Sequence, residues 1–302
     1  MDYKNIFKDL DIGEVLFDEP MKKHTTFKIG GPCDVLVKPS TEEQILNLLN
    51  RIKDKNLDYM IIGNGSNLLV SDFGINKVII KLHTNFSNIT LKDDKIISQA
   101  GATLEEIANF ALEHSLTGFE FASGIPGDLG GAVTMNAGAY GGEMKDVLES
   151  VRVIDRDLNV IEIPAEKMDL RYRNSRVQDE GLIVLGATIK LSKGDYNKIK
   201  EYQDELTYKR TSKQPLEYPS AGSTFKRPEG YYAGKLIDDC GLRGYRYKDA
   251  QVSEKHCGFV INAGEADCSQ ILHVIDHVRD RVFEKFGVRL EPEVRIIGEF
   301  EE

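Results

Sequence analysis

Residues 123–143 read Ser-Gly-Ile-Pro-Gly-Asp-Leu-Gly-Gly-Ala-Val-Thr-Met-Asn-Ala-Gly-Ala-Tyr-Gly-Gly-Glu, and they constrain the fold more than any other stretch. Between Ser123 and Gly142 lie seven glycines among small apolar residues, almost without charge. Backbone stripped of side chains in this way must approach something flat or bulky closely. A flexible linker is the plainer alternative. Linkers, however, are polar and serine-rich, and this segment is neither. It reads as the lining of a ligand site.

The rest of the chain has to build a scaffold around that segment. A length of 302 residues fits two domains, or three small ones. With 41% hydrophobic and 29% charged residues, the chain has enough apolar material for a large core. A net charge of -10 carries no footprint for nucleic acid or an anionic membrane surface. An anionic substrate would therefore need a local basic pocket. The first residues, Met1 to Phe7, lack the charged-then-apolar run of a signal peptide. No apolar stretch approaches the ~20 residues of a membrane span. Cys33, Cys240, Cys257 and Cys268 are scattered and form no CxxC pair, so neither a disulfide nor a zinc framework is expected. A cytoplasmic protein with no obligate protein partner and no metal is the expectation.

Periodicity outlines the scaffold. The first structured unit begins near Met21, with a strand at Cys33–Pro39. Ser40 then caps a helix, Glu43 completes a capping box, and Ile45, Leu46, Leu48, Leu49 and Ile52 form the apolar face. Tyr59–Ile62 and Val78–Ile80 read as buried strands. A second unit, from about Phe86 to Leu191, holds strands at 95–99, 151–154, 160–163 and 182–191 and a helix at Leu104–His114. A long polar helix, Tyr196–Lys213, opens the third part, which also contains an amphipathic helix at Ser269–Phe286 and a closing strand at Val294–Ile297. This pattern is α+β, divided as 1–85, 86–193 and 194–302.

Four shorter motifs add chemistry. Gly63-Asn64-Gly65-Ser66-Asn67 follows a strand, and such a turn can aim successive N–H groups at phosphate oxygens. Alone, it also fits an ordinary tight turn. It is not a dinucleotide fingerprint, because Leu68 stands where GxGxxG needs glycine. Tyr172-Arg173-Asn174-Ser175-Arg176 offers guanidinium forks suited to carboxylates and phosphates, although alone they read as solvated surface arginines. Residues 219–228, with Ser223 between Gly222 and Thr224 and beside Lys226 and Arg227, suit proton transfer or anion binding. No GxSxG elbow surrounds the serine, which argues against a hydrolase nucleophile. Glu291-Pro292-Glu293-Val294-Arg295 reads most simply as the solvated start of an edge strand. His273 and His277 lie at i, i+4, but no HExxH glutamate accompanies them, so a metal site is not expected.

The order of these blocks is more telling than any one of them. HTTFKIGG (24–31), GNGSNLLV (63–70), SGIPGDLGGAVTMNAGAYGGE (123–143), YRNSR (172–176), AGSTFKRP (221–228) and EPEVR (291–295) closely resemble the UDP-N-acetylenolpyruvoylglucosamine reductases over roughly residues 20 to 300. The resemblance implies a two-subdomain FAD-binding module of the vanillyl-alcohol-oxidase type followed by a C-terminal α+β substrate domain. It implies NADPH-dependent, FAD-mediated reduction of UDP-N-acetylglucosamine enolpyruvate to UDP-N-acetylmuramate, a step of peptidoglycan synthesis. In this scheme hydride goes to C3 and a proton to C2.

Carried onto this chain, Arg173 matches the arginine that stabilises developing enolate charge, Ser223 the proton donor to C2, and Glu293 the acidic residue of the proton network. Residues Gly63, Asn64, Gly65, Ser66 and Asn67 would hold the FAD pyrophosphate. Ser123, Gly124, Pro126, Gly127, Gly131, Ala132, Asn136 and Gly138 would line the flavin and ribityl chain. The turn 63–67 has no His or Cys to bond the flavin, so FAD would be non-covalent. The chain resembles the shorter class of the family, which lacks the loop whose tyrosine closes over substrate. Tyr172, Lys213, Lys226 and Arg227 are then the expected substrate contacts. An oxidase of the same FAD fold, passing electrons to oxygen, is the alternative. It has no evident need for a proton donor at Ser223.

Overall fold

The computed structural model describes residues 1–300, which form two compact units of interleaved chain. The first comprises Met1–Leu16, Val35–Asn64 and Val78–Arg210, and the second Phe17–Asp34, Gly65–Lys77 and Thr211–Glu302. These seams do not follow linear boundaries at 85 and 193. Residues 86–193 lie whole within the first unit, which also takes in most of the preceding segment.

The first unit is organised by a five-stranded antiparallel sheet. Its strand order is Val160–Pro164, Leu148–Ile154, Ile183–Lys190, Lys95–Gln99, Ile89–Lys92. The central strand Ile183–Lys190 is buried along nearly its whole length, as a strand covered on both faces should be. Against it packs a short helix, Leu129–Thr134, in the middle of the glycine-rich segment. That helix is absent from the sequence reading, because three small residues and two glycines carry no apolar periodicity. Its start is set instead by the turn after the strand Lys95–Gln99: Leu129 N–H donates to Ala102 O and Gly130 N–H to Ala100 O.

Strands Tyr59–Ile62 and Ile75–Lys81 are parallel, with Ile61 opposite Ile80, in a four-stranded sheet ordered Glu14–Pro20, Pro32–Lys38, Ile75–Lys81, Tyr59–Ile62. The strand Glu14–Pro20 and the short helix Tyr3–Ile6 precede Met21, earlier than the sequence pattern placed the first element. The helix expected after Ser40 spans Glu42–Asp54, and its cap is Thr41, whose hydroxyl accepts Gln44 N–H at 3.1 Å. Gln44 reaches back to accept the Ser40 N–H at 2.8 Å and not that of the cap Thr41, so the capping box expected at Ser40/Glu43 does not form and Thr41 caps the helix alone. A complete capping box occurs at Thr103 and Glu106, opening the helix Leu104–Glu113.

In the second unit a three-stranded antiparallel sheet (Arg246–Tyr247, Ala250–Val252, Val260–Asn262) is backed by the helix Cys268–Phe286. Ile271, Val274, Ile275, Val278 and Val282 recur at helical spacing and are all buried. Their burial contributes roughly 10 kcal/mol before chain entropy is counted. Asp267 caps the helix start, and Gly287 ends it with φ +67°. Strand Arg295–Ile297 pairs in parallel with Leu68–Val70, which ties the EPEVR segment to the strand leaving the glycine turn. His273 and His277 stack on Tyr247 and Tyr245, with ring centroids 3.8 and 4.2 Å apart. Among the described residues no group of His, Cys, Asp or Glu could hold a metal, and no helix is long and apolar enough to cross a membrane.

Candidate active site

Gly63 and Asn64, in the first unit, leave the strand Tyr59–Ile62 and turn over Asp128. A Cβ at Gly63 would stand 2.6 Å from Asp128 Oδ2, so any larger residue there would have to displace that carboxylate. Asp128 is 2% exposed and its Oδ1 lies 2.8 Å from His83 Nδ1. Burial pushes its carboxyl up, against the opposing pull of His83, Lys81 and the Asn64 amide. Lys81 is itself buried, and that burial holds its ammonium below the usual range.

The glycine-rich segment divides into positions closed by packing and positions open to a ligand. A Cβ at Gly142 would stand 2.6 Å from the ring of Phe121, whereas one at Gly131 would meet nothing within 4 Å. Gly131 thus presents bare backbone to open space, as a surface that receives a planar ring must. Ala132, by contrast, is 4% exposed and packs into the core, so its side chain serves the scaffold. Asn136 is also buried: its amide donates to Glu143 Oε2 at 2.7 Å and its oxygen accepts Lys145 N–H at 3.0 Å. Both ends of that side chain hold the loop 138–143 in place. Ser123 Oγ donates to Glu120 O at 2.9 Å, and Gly127 O accepts Leu104 N–H. Pro126 is exposed, while Gly124 and Gly138 are half-buried. We expect Gly142→Ala to destabilise the fold by ~1–3 kcal/mol through overpacking against Phe121. Gly131→Ala should leave unfolding unchanged and weaken FAD binding. Thermal melts with flavin titration separate the two, and equal melting losses would contradict the division.

Arg173 lies in the same unit with φ +55°, a conformation that costs a non-glycine residue ~1–2 kcal/mol. Its guanidinium lies 5.2 Å from the ring centroid of exposed Tyr172. Glu143 is held below the usual carboxylate range by Lys145 first, with Asn136 and the Arg173 charge adding to it. Arg173 therefore sits within electrostatic reach of the end of the glycine-rich segment.

Arg210 was not among the expected site residues. Its side chain packs against Gly124, with Cδ and Nη1 3.0 Å from where a Cβ would stand, and burial pulls its pKa below the guanidinium range while Tyr140 acts the other way. A desolvated cation against this backbone suits an anionic dinucleotide ligand. The available signal was a basic cluster, Lys209-Arg210 with Lys213, on a helix that has no apolar stripe. A cavity of about 650 Å³ in this unit is lined by residues that include Lys145, Glu149, Glu166 and Lys190, and by none of the expected site residues.

In the second unit the segment carrying Ser223 runs beside the segment carrying Glu293, with Phe225 bridged to Pro292. Thr224 is fixed by three bonds: its N–H donates to Gly258 O, its Oγ1 accepts Val260 N–H, and its carbonyl accepts Glu293 N–H, each at 2.8 Å. Ser223 thus stands exposed one residue before the partner of half-buried Glu293. Asn67 Nδ2 donates to Glu293 O at 3.1 Å and Asn67 O accepts Arg295 N–H at 2.9 Å, so the glycine turn's last residue anchors the acidic segment. Gly65 has φ +68° and no room for a Cβ beside His24 O, and half-buried Ser66 completes the turn. Lys226 Nζ pairs with Glu291 at 3.2 Å, and the Arg227 guanidinium lies 4.1 Å from the centre of the Tyr232 ring. Lys213 ends its helix exposed.

The bare glycine surface of the first unit belongs to a flavoprotein: residues 33–163 match the model of the FAD binding domain. Residues 214–297 match that of the UDP-N-acetylenolpyruvoylglucosamine reductase C-terminal domain. The chain belongs to the UDP-N-acetylenolpyruvoylglucosamine reductase family. It is 51% identical over 297 residues to the reductase of that name from Clostridioides difficile, covering 98% of each chain. It is 52% identical over 296 residues to the one from Caldanaerobacter subterraneus, covering 98% and 97%. A crystal structure of UDP-N-acetylenolpyruvylglucosamine reductase from Thermus caldophilus superposes with a TM-score of 0.80 at 35% identity, covering 94% of this chain and 98% of that one. The α+β class with a FAD-binding part accords with the sequence reading.

Proposed function

We propose that the chain reduces UDP-N-acetylglucosamine enolpyruvate to UDP-N-acetylmuramate for peptidoglycan synthesis, with FAD as cofactor and NADPH as hydride donor. The backbone bond from Glu293 N–H to Thr224 O, which brings the segment of Ser223 alongside that of Glu293, supports this reading, because a proton donor and a carboxylate on neighbouring segments suit reduction of an enolpyruvyl double bond. Bound FAD supplies the hydride that reaches C3 of the substrate. The protein's own groups handle the charge that this leaves behind. Arg173 neutralises negative charge spreading from C2 into the carboxylate, where a planar fork matches two oxygens. Ser223 places its hydroxyl proton at C2. Glu293 polarises the enoate and serves the proton network behind Ser223.

The residues fit the cofactor: bare backbone at Gly131, the turn at Gly63–Asn67 and the buried Arg210 charge suit a ring and two phosphates. Tyr172, Lys213, Lys226 and Arg227 are the side chains we assign to substrate. Functionally we divide the chain into 1–85 and 86–193 for FAD and 194–302 for substrate. A cytoplasmic location agrees with four free cysteines, two of them with thiols pushed up to about 12 by burial. The test is an anaerobic flavin spectrum. Bleaching by NADPH, recovery on adding the enolpyruvyl substrate, and release of free FAD on denaturation are the expected results. Rapid reoxidation by air without any need for NADPH would favour an oxidase, and yellow colour left on the denatured chain would overturn non-covalent binding.

A further inference from the structure

Arg173 occupies the third position of a tight turn closed by reciprocal backbone bonds, Arg171 N–H to Asn174 O at 3.0 Å and Asn174 N–H to Arg171 O at 3.1 Å. With φ +55° it stands where such turns favour glycine or asparagine. Backbone in that state persists only when its surroundings over-determine it. One side chain does much of this. Gln178 Nε2 donates to Arg173 O at 3.2 Å and to Thr134 O at 3.0 Å. Ser175, wholly buried, donates its hydroxyl to the same Thr134 carbonyl at 2.9 Å. Thr134 is the last residue of the helix Leu129–Thr134, so its carbonyl has no helical donor and is free to accept both.

We propose that Gln178 is a positioning residue for reduction of the enolpyruvyl substrate. Its single amide nitrogen fastens the strained arginine turn to the end of the helix that carries Gly131, and so sets where the Arg173 guanidinium stands relative to the flavin-lining backbone. The chemistry is selective for an amide. Two carbonyls must be served from one atom, a hydroxyl has one hydrogen, and a carboxylate has none. The inference rests on Arg173 being the group that stabilises the enolate.

The experiment compares wild type, Gln178→Ala, Gln178→Glu, Arg173→Ala and the Arg173→Ala/Gln178→Ala double variant as holoenzymes. FAD content and melting temperature are recorded beside both anaerobic half-reactions. Gln178→Glu keeps the side chain's shape but turns a charged acceptor toward the two carbonyls in place of the donor, so it separates loss of the two bonds from a packing defect in the alanine variant. Both Gln178 variants should bind FAD and be reduced by NADPH within about twofold of wild type, while reoxidation by substrate slows ~10–100-fold. KM for the enolpyruvyl substrate should change less than kcat. In the Arg173→Ala background, removing Gln178 should cost nothing more, because it acts through the arginine. Multiplied losses in the double variant, equal slowing of both half-reactions, loss of flavin, or an unaffected Gln178→Glu beside a slow Arg173→Ala would each overturn the inference. If Arg173→Ala alone reoxidises at the wild-type rate, the reading of Arg173 fails and the inference falls with it. That single variant tells the two failures apart.

Discussion

Ser223→Ala is expected to slow reoxidation of the reduced enzyme by substrate ~10²–10⁴-fold, the usual cost of losing a positioned acid, while bleaching by NADPH stays near the wild-type rate. The asymmetry follows from the chemistry, since only the second half-reaction places a proton on substrate carbon. The variant should fold normally, because Ser223 is exposed and the bonds that shape its segment belong to Thr224. Serine is a weak acid, so its contribution depends on position. The three bonds of the adjacent Thr224, one of them from Glu293 N–H, hold the backbone that carries it. Ser223→Cys should keep part of the activity, as a thiol there still donates. In D₂O the wild type should place deuterium at C2. Equal slowing of both half-reactions would assign Ser223 to flavin positioning instead.

Arg173→Ala should lower the same half-reaction by ~10²–10³-fold, the range found for loss of one preorganised donor. The backbone points in its favour. A turn that bends more easily with glycine keeps an arginine at φ +55°, and strain of this kind gathers where a side chain is needed. Arg173→Lys should recover only a fraction of the rate, because an ammonium cannot meet two carboxylate oxygens with a planar fork. Arg173→Gly is the informative control: it relieves the backbone, so it should melt no lower than wild type while being as slow as alanine. A variant that lost both FAD and fold would make the residue structural, and stopped-flow absorbance beside a melting curve distinguishes these outcomes.

Much of the molecule was legible in the residues themselves. Tyr59–Ile62, Lys95–Gln99 and Tyr196–Lys213 occur with the limits their patterns indicate, and the amphipathic helix begins one residue earlier, at Cys268. Those signals are local, since period and composition report which face of an element is buried. The glycine-rich segment was likewise readable as backbone brought close to something. Its division into Gly142 against Phe121 and Gly131 against open space was not, because what surrounds each glycine, a ring or nothing, is set by distant parts of the chain.

Other features belong to the tertiary structure alone. The cap at Thr41 was decided by which hydroxyl meets Gln44 N–H, a contest between neighbours that composition leaves open. The Leu129–Thr134 helix has no apolar stripe and its start is bonded to Ala100 and Ala102, in the turn after the strand Lys95–Gln99. Ser223 and Glu293 are seventy positions apart, and only the isolated bridge of Phe225 with Pro292 and the bond from Glu293 N–H to Thr224 O bring their segments alongside each other. Arg210 looked like one more cation on a polar helix until burial against Gly124 stripped it of water. Sequence determined which chemistry the chain carries, since residue types and periods are local properties. Which groups meet, and which lose their solvent, was decided by long-range packing.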